Sequence, residues 1–160
     1  MKKKLLCTAL AAVMVLGLCA CGGDEQPAGD NNGESTATGA AFKLGGTGPL
    51  TGSAAIYGVA AKNGAQIAVD EINALGGDIQ FDLRYEDDVN DPEKAVNAYN
   101  TLKDWGMQVL MGTVTSNPCI AVAAETANDN MFQLTPSGSA EGCIANDNAF
   151  RVCFSDPEQG

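Results

Sequence analysis

This sequence predicts an α/β domain: a Rossmann-like parallel sheet with helices on both of its faces. Three observations carry the prediction. Short strand-like runs alternate with helical periodicities along residues 42–154. The runs are separated by Gly, Pro, Asp and Asn turn signals. One run alternates in polarity while the next is almost wholly apolar, as expected of an edge strand and an interior strand in one sheet.

The elements follow in order. Residues 42–48 form a strand-like run that ends in the turn Gly48-Pro49-Leu50-Thr51-Gly52. A long helix is predicted over 54–75. Ile56, Ala60, Ile67, Ala68, Ile72 and Leu75 recur at three- and four-residue steps and make its buried stripe, and Gly76-Gly77 closes it. Residues 79–86 alternate strictly, with Ile79, Phe81, Leu83 and Tyr85 on one face, so this is an edge strand. Asp91-Pro92-Glu93 is a helix start, with Asp as N-cap, Pro at the first position and an acid in the first turn. That helix turns Ala95, Val96, Tyr99 and Leu102 inward. Residues 108–111 are an interior strand. Ser116-Asn117-Pro118 opens a third helix to about residue 130, with Ser116 or Asn117 as its cap. Residues 131–135 form a fourth strand, 136–148 a loop and 150–154 a fifth strand. Ligands of such sheets sit beyond the carboxyl ends of the strands, so the loops there are the place to look.

Composition narrows the function. The chain of 160 residues carries a formal net charge of −11 and no histidine. So acidic a surface repels phosphate backbones and argues against nucleic-acid partners. Without histidine, no Ser-His-Asp or Cys-His pair can form, and the commonest metal ligand is missing. No coherent catalytic constellation is present, so the chain is not read as an enzyme, and no cofactor or metal is expected. Gly46, Gly48 and Gly52 follow a strand, but Thr51 breaks the dinucleotide-binding spacing and Pro49 removes a backbone donor. Asp87, Asp88 and Asp91 lack the spacing and glycine of a calcium loop and are read as a solvated turn plus a cap.

The N-terminus has the layout of a leader: Lys2-Lys3-Lys4, then an apolar run over 5–20. That run is too short to span a bilayer comfortably. It ends in Leu18-Cys19-Ala20-Cys21, which resembles the bacterial lipobox. The resemblance implies cleavage before Cys21 and attachment of a lipid there, so residues 1–20 are a lipoprotein signal peptide. Residues 21–41, rich in Gly, Asp, Asn, Ser and Thr, form a flexible linker with no apolar bulk to build a core. The expected location is the extracytoplasmic face of the cell membrane, by lipid anchor.

From residue 42 onward the chain resembles the type I periplasmic solute-binding proteins of ABC importers, the branched-chain amino acid receptor group. The matching segments occur in family order. They are the Gly48–Gly52 turn, Tyr57-Gly58, Ala68-Val69-Asp70-Glu71-Ile72-Asn73, Gly76-Gly77, Glu86-Asp87-Asp88, Asp91-Pro92-Glu93-Lys94-Ala95, Thr135-Pro136-Ser137 and Phe150-Arg151-Val152. The resemblance implies a Venus-flytrap receptor that closes two lobes over its ligand, with residues 42–154 as the first lobe. Residues 155–160 then resemble the start of the crossover to a second lobe, so the sequence is expected to be an N-terminal fragment holding half a cleft. The implied function is binding of an amino acid, branched-chain or similar, and its delivery to an ABC permease; the same lobe also serves extracellular sensing.

The resemblance places first-lobe ligand contacts at Tyr57, Ser116, Ser137 and Ser139. Hydroxyls and a helix N-terminus suit a carboxylate, and hydroxyls and carbonyls suit an ammonium. Each residue also has a plainer role: Ser116 as a helix cap, Ser137 and Ser139 as turn formers, Tyr57 as packing.

After loss of the leader and acylation of Cys21, Cys119, Cys143 and Cys153 remain, so at most one internal disulfide can form. Cys119 and Cys143, expected in loops at the carboxyl edge of the sheet, are the candidate pair; Cys153 is expected in an apolar strand as a buried thiol. Three free thiols are the alternative.

Overall fold

A computed structural model describes residues 40–159. The leader, the acylation site at Cys21 and nearly all of the linker lie outside the described residues. Five parallel strands form one sheet in the order β2-β1-β3-β4-β5. They are β1 (Phe42–Gly48), β2 (Phe81–Asp87), β3 (Val109–Gly112), β4 (Gln133–Thr135) and β5 (Ala149–Arg151). Helices α1 (Ala55–Ala74), α2 (Pro92–Trp105) and α3 (Ser116–Asp129) make the first three crossovers. The segment between β4 and β5, expected as plain loop, contains a 3-10 turn at Glu141–Ile144. No helix among the described residues is long and apolar enough to cross a membrane.

The strictly alternating run is an edge strand, β2, and the apolar run β3 sits at the centre of the sheet. Leu44 of β1 lies opposite Leu83 on one side and Val109 on the other. On one face, α2 and α3 bury Ala95, Tyr99, Leu102, Met107, Leu110 and Val122 against the sheet. Asp91 caps α2 by accepting from the Lys94 N–H at 2.9 Å, and Pro92 occupies the first turn. Gly106 ends α2 in the left-handed conformation, φ 90°, which a side chain would oppose. Tyr99 Oη and Lys103 Nζ both donate to Asp129 Oδ2, at 2.7 and 2.6 Å, and so tie α2 to the end of α3.

On the other face the expected stripe of α1 is not the buried one. Ile56 is 73% exposed, Ile67 58% and Leu75 83%, and Ile72 is also exposed. The helix instead turns Gly58, Ala61, Ala65, Val69 and Asn73 toward the sheet. Two anchors choose this rotation. A Cβ on Gly58 would stand 2.0 Å from the Pro49 carbonyl oxygen, so only glycine allows that approach. Asn73 pairs with the Phe81 backbone through two hydrogen bonds of 2.8 Å, fixing the far end.

Helix α1 packs on β1 and β2. Among the described residues the β3–β5 half of this face is open. Tyr85, Met111, Leu134 and Val152 floor a groove of about 300 Å³ beside Ala60, Gly64 and Ala68. Phe132 and Phe150 stack next to it, their rings 5.1 Å apart. The fifth strand also ends earlier than expected. Val152 N–H donates to the Thr135 carbonyl, and β4 then turns away at Pro136, leaving no partner for further residues. Cys153 therefore lies outside the strand and is half-buried, not a core thiol, and Phe154 is 61% exposed.

If the Gly58 contact sets α1, two alanine substitutions in this helix act oppositely. Gly58→Ala should lower the urea midpoint, costing about 1–3 kcal/mol through overpacking. Gly64→Ala meets nothing within 4 Å and should raise it by about 0.5–1 kcal/mol. Similar shifts at both positions would remove the contact as the anchor.

Candidate ligand-binding site

The loops at the carboxyl ends of β1, β3 and β4 meet around a small open hollow. Tyr57, Val114, Thr115, Ser116 and Ser137 line about 250 Å³. Tyr57 comes from the first turn of α1 and is 62% exposed, so its ring forms a free wall. Val114 and Thr115 follow β3, Ser116 is the first residue of α3, and Ser137 follows β4.

The start of α3 differs from expectation in an instructive way. The capping position is Thr115, not Ser116 or Asn117, and its side chain makes no capping bond. An N-cap side chain bonds the N–H two or three residues on. Here the third helical residue is Pro118, which has no N–H to give. Cys119 N–H, next in line, donates to the Thr115 carbonyl at 3.0 Å. The Thr115 hydroxyl is buried without a partner among the described residues. The N–H groups of Ser116 and Asn117, first and second in the helix, are left to outside acceptors. Ser116, the first residue of α3, therefore lines the hollow at the positive end of a helix dipole. Thr115 was not among the residues picked out from sequence. Its signal was a threonine three residues before a proline at a helix start.

Hydrogen bonds between loops hold the rim. Ser137 Oγ donates to the Val114 carbonyl at 2.6 Å, and Thr135 Oγ1 donates to the Thr113 carbonyl at 2.6 Å. Gly138 N–H donates to Thr135 Oγ1 at 2.9 Å, and Ala140 N–H to Ser116 Oγ at 3.3 Å. Ser137 keeps acceptor lone pairs and Ser116 keeps its proton for a ligand. Ser139 is placed differently. It does not line the hollow, and its carbonyl accepts from Arg151 Nη1 at 2.9 Å and Asp156 N–H at 3.0 Å, bracing the loop from behind. The structure thus brings Tyr57, Ser116 and Ser137 together and sets Ser139 outside.

The acidic turn after β2 supports the first loop. Asp87 Oδ1 accepts from Leu50 N–H at 2.7 Å and Val89 N–H at 2.9 Å, and Oδ2 accepts from Thr51 Oγ1 at 2.6 Å. Desolvation opposes its charge, but the Thr51 hydroxyl and these N–H groups outweigh it and hold its pKa below the usual value. Asp88 is fully buried, which corrects the expectation of a solvated turn. Burial pushes its pKa up to about 6, against the pull of the Asn90 N–H and with help from the charges of Asp87 and Asp91.

The profile of the periplasmic binding proteins matches residues 41–160. This chain belongs to that family. The family is one of binding proteins, not of enzymes. A Leu/Ile/Val-binding protein, BraC3 of Rhizobium johnstonii, is 37% identical over 115 residues, covering 69% of this chain and 31% of the relative. A Leu/Ile/Val-binding protein homolog of Brucella melitensis is 30% identical over 131 residues, covering 79% of this chain and 36% of the relative. Among solved structures, LivJ of Streptococcus pneumoniae, a branched-chain amino acid transporter substrate-binding protein in complex with isoleucine, superposes with a TM-score of 0.68 at 30% identity. The match covers 73% of this chain and 35% of LivJ. The chain spans about a third of the length of these relatives.

Asp88 makes stability fall as pH rises. Its folded pKa lies above the ordinary 3.8, so between about pH 4 and 6 the folded state binds the extra proton and is favoured at the acid end. The carboxylates of Asp87, Asp129 and Glu158 have lowered values and act oppositely, losing their contribution below about pH 4. Thermal melts from pH 4 to 7 should show this decline in wild type. Asp88→Asn should flatten the slope and melt higher than wild type at pH 7; an unchanged slope would remove Asp88 as its source.

Proposed function

We propose that this chain is the ligand-binding lobe of a lipid-anchored substrate-binding protein of an ABC importer. Its ligand is an amino acid, branched-chain or similar. The observation that carries this reading is the hollow at the start of α3. There Ser116, at the N-terminal end of α3, lines the hollow with Tyr57 and Ser137, and no charged side chain is in the lining. Such a set binds a carboxylate through neutral donors and a dipole, which releases it readily when a cleft opens. Ser137 Oγ is placed to accept from an ammonium, and Tyr57 to wall an aliphatic side chain. Ser139 acts through the loop, by holding Arg151. Support also comes from the resemblance to Leu/Ile/Val-binding proteins and to an isoleucine-bound receptor. Delivery to a membrane permease follows from that class of protein, and the lipobox-like Leu18-Cys19-Ala20-Cys21 would keep the lobe at the membrane.

Titration of the ¹⁵N-labelled chain with L-isoleucine should move the amide resonances of Ser116 and Asn117 first. Binding should be weak, because one lobe buries only part of a ligand. Ser116→Ala should weaken it by roughly 10-fold or more, the loss of a hydrogen bond to a charged group. Absence of any shift up to about 10 mM leucine, isoleucine or valine would defeat the proposed ligand class. For the anchor, growth of expressing cells with labelled palmitate should mark the protein, and Cys21→Ser should abolish the mark. Unlabelled wild-type protein released into the medium would argue against a tether.

A further inference from the structure

The loop after β4 and the first turn of α3 share a second feature that ligand binding does not use. Cys119, one turn into α3, and Cys143, in the 3-10 turn Glu141–Ile144, are both fully buried and face each other as free thiols. Each also points at the backbone of the other's segment: Cys119 Sγ toward the Cys143 carbonyl at 3.9 Å, and Cys143 Sγ toward the Ser116 carbonyl at 3.7 Å. These are long, weak contacts, so neither thiol proton is firmly held. Gln133 Nε2 donates to Cys119 Sγ at 3.3 Å, an interaction that a bonded sulfur can still accept. The hydrogen bond from Cys143, with help from Thr113 and Thr135, draws the Cys119 pKa down against burial, while the same pairing raises that of Cys143. One thiol is therefore set to lose its proton first, as exchange chemistry requires. Cys153 is only half-buried and takes no part in these contacts.

We propose that Cys119 and Cys143 are a disulfide-forming pair whose closure fastens the loop carrying Ser137 and Ser139 to the helix start carrying Ser116. The oxidant is a disulfide R–S–S–R, small-molecule or protein-borne. One cysteine thiolate attacks it, forming a mixed disulfide and releasing RS⁻. The second cysteine attacks the mixed disulfide, forming the Cys119–Cys143 bond and releasing the other RS⁻. The two thiol protons end on two R–SH, so the protein loses two hydrogens. Because both sulfurs are buried, the reaction proceeds through local opening of the short 3-10 turn. The ring so closed contains α3 from Cys119 onward and all of β4, and closing it restrains the unfolded chain.

The test uses the purified full chain treated with oxidised glutathione, then blocked with an alkylating agent. No Lys or Arg lies between residues 104 and 150, so cleavage at Lys and Arg alone leaves both cysteines in one peptide. Added cleavage after Glu125 and Glu141 separates them into peptides 104–125 and 142–151, with Cys153 outside both. The expected product is these two peptides joined and two hydrogens lighter than their sum. Oxidation should raise Tm by roughly 5–10 °C relative to the reduced chain. Cys143→Ser and Cys143→Ala should abolish both effects, and Cys153→Ser should retain both. Recovery of Cys119 and Cys143 alkylated, or joined only to glutathione or Cys153, would overturn the proposal. None of these measurements depends on the identity of the ligand, so failure here leaves the amino-acid-binding reading to its own titration.

Discussion

Strand β1 hydrogen-bonds to β2 on one side and to β3 on the other, and the arrangement of the loops follows from that position. The chain leaves β1 through α1 to reach β2, then crosses back over β1 through α2 to reach β3. These connections lie on opposite faces, so the loops after β1 and β3 diverge at their carboxyl ends and leave a crevice between them. Tyr57 enters that crevice from one side, Thr115 and Ser116 from the other. Neither Thr115 nor Ser116 is close to Tyr57 in sequence; the strand order makes them neighbours.

The crevice keeps its shape because a polar layer beneath it is satisfied. Gln133, fully buried, accepts from the Thr126 hydroxyl at 2.7 Å and donates to Cys119. Thr135 both donates to Thr113 and accepts from Gly138. These bonds join β4 to α3 and to the loop after β3. Buried groups paired in this way are costly to separate, since each would be left without a partner in a medium poor in water. Thr115 Oγ1 is one of four buried side-chain polar atoms without a partner among the described residues, with Thr47 Oγ1, Tyr85 Oη and Asp88 Oδ2.

The two faces of the sheet are finished to different degrees. Helices α2 and α3 cover one face with a continuous core that includes Tyr99, Leu102 and Leu110. On the other, α1 lies close over β1 and β2 because its inward residues are small, and the half formed by β3, β4 and β5 is open among the described residues. Parallel sheets are ordinarily covered on both faces. The same small residues explain why α1 carries its isoleucines outward: rotation is chosen by the closest backbone approach, at Gly58, and not by the largest side chains.

The sequence alone determined the alternation of strands and helices, the edge character of β2, the central place of β3 and the start of α2. Each of these is a local matter: Phe81, Leu83 and Tyr85 alternate within one strand, and Asp91-Pro92 caps its own helix. It also picked out Tyr57, Ser116 and Ser137, through loop position and family resemblance. Only the tertiary structure decided which face of α1 is buried, because the isoleucine stripe and the Gly58–Asn73 stripe have the same period and differ only in what they meet. Only the tertiary structure ended β5 at Arg151, where β4 stops supplying partners, and buried Asp88, which reads in sequence as one more acid in a turn. The local pattern could assign residues to strands and loops; the contacts between segments distant in sequence decided that Thr115 faces the hollow, Ser139 braces the loop behind it, and Cys119 lies against Cys143.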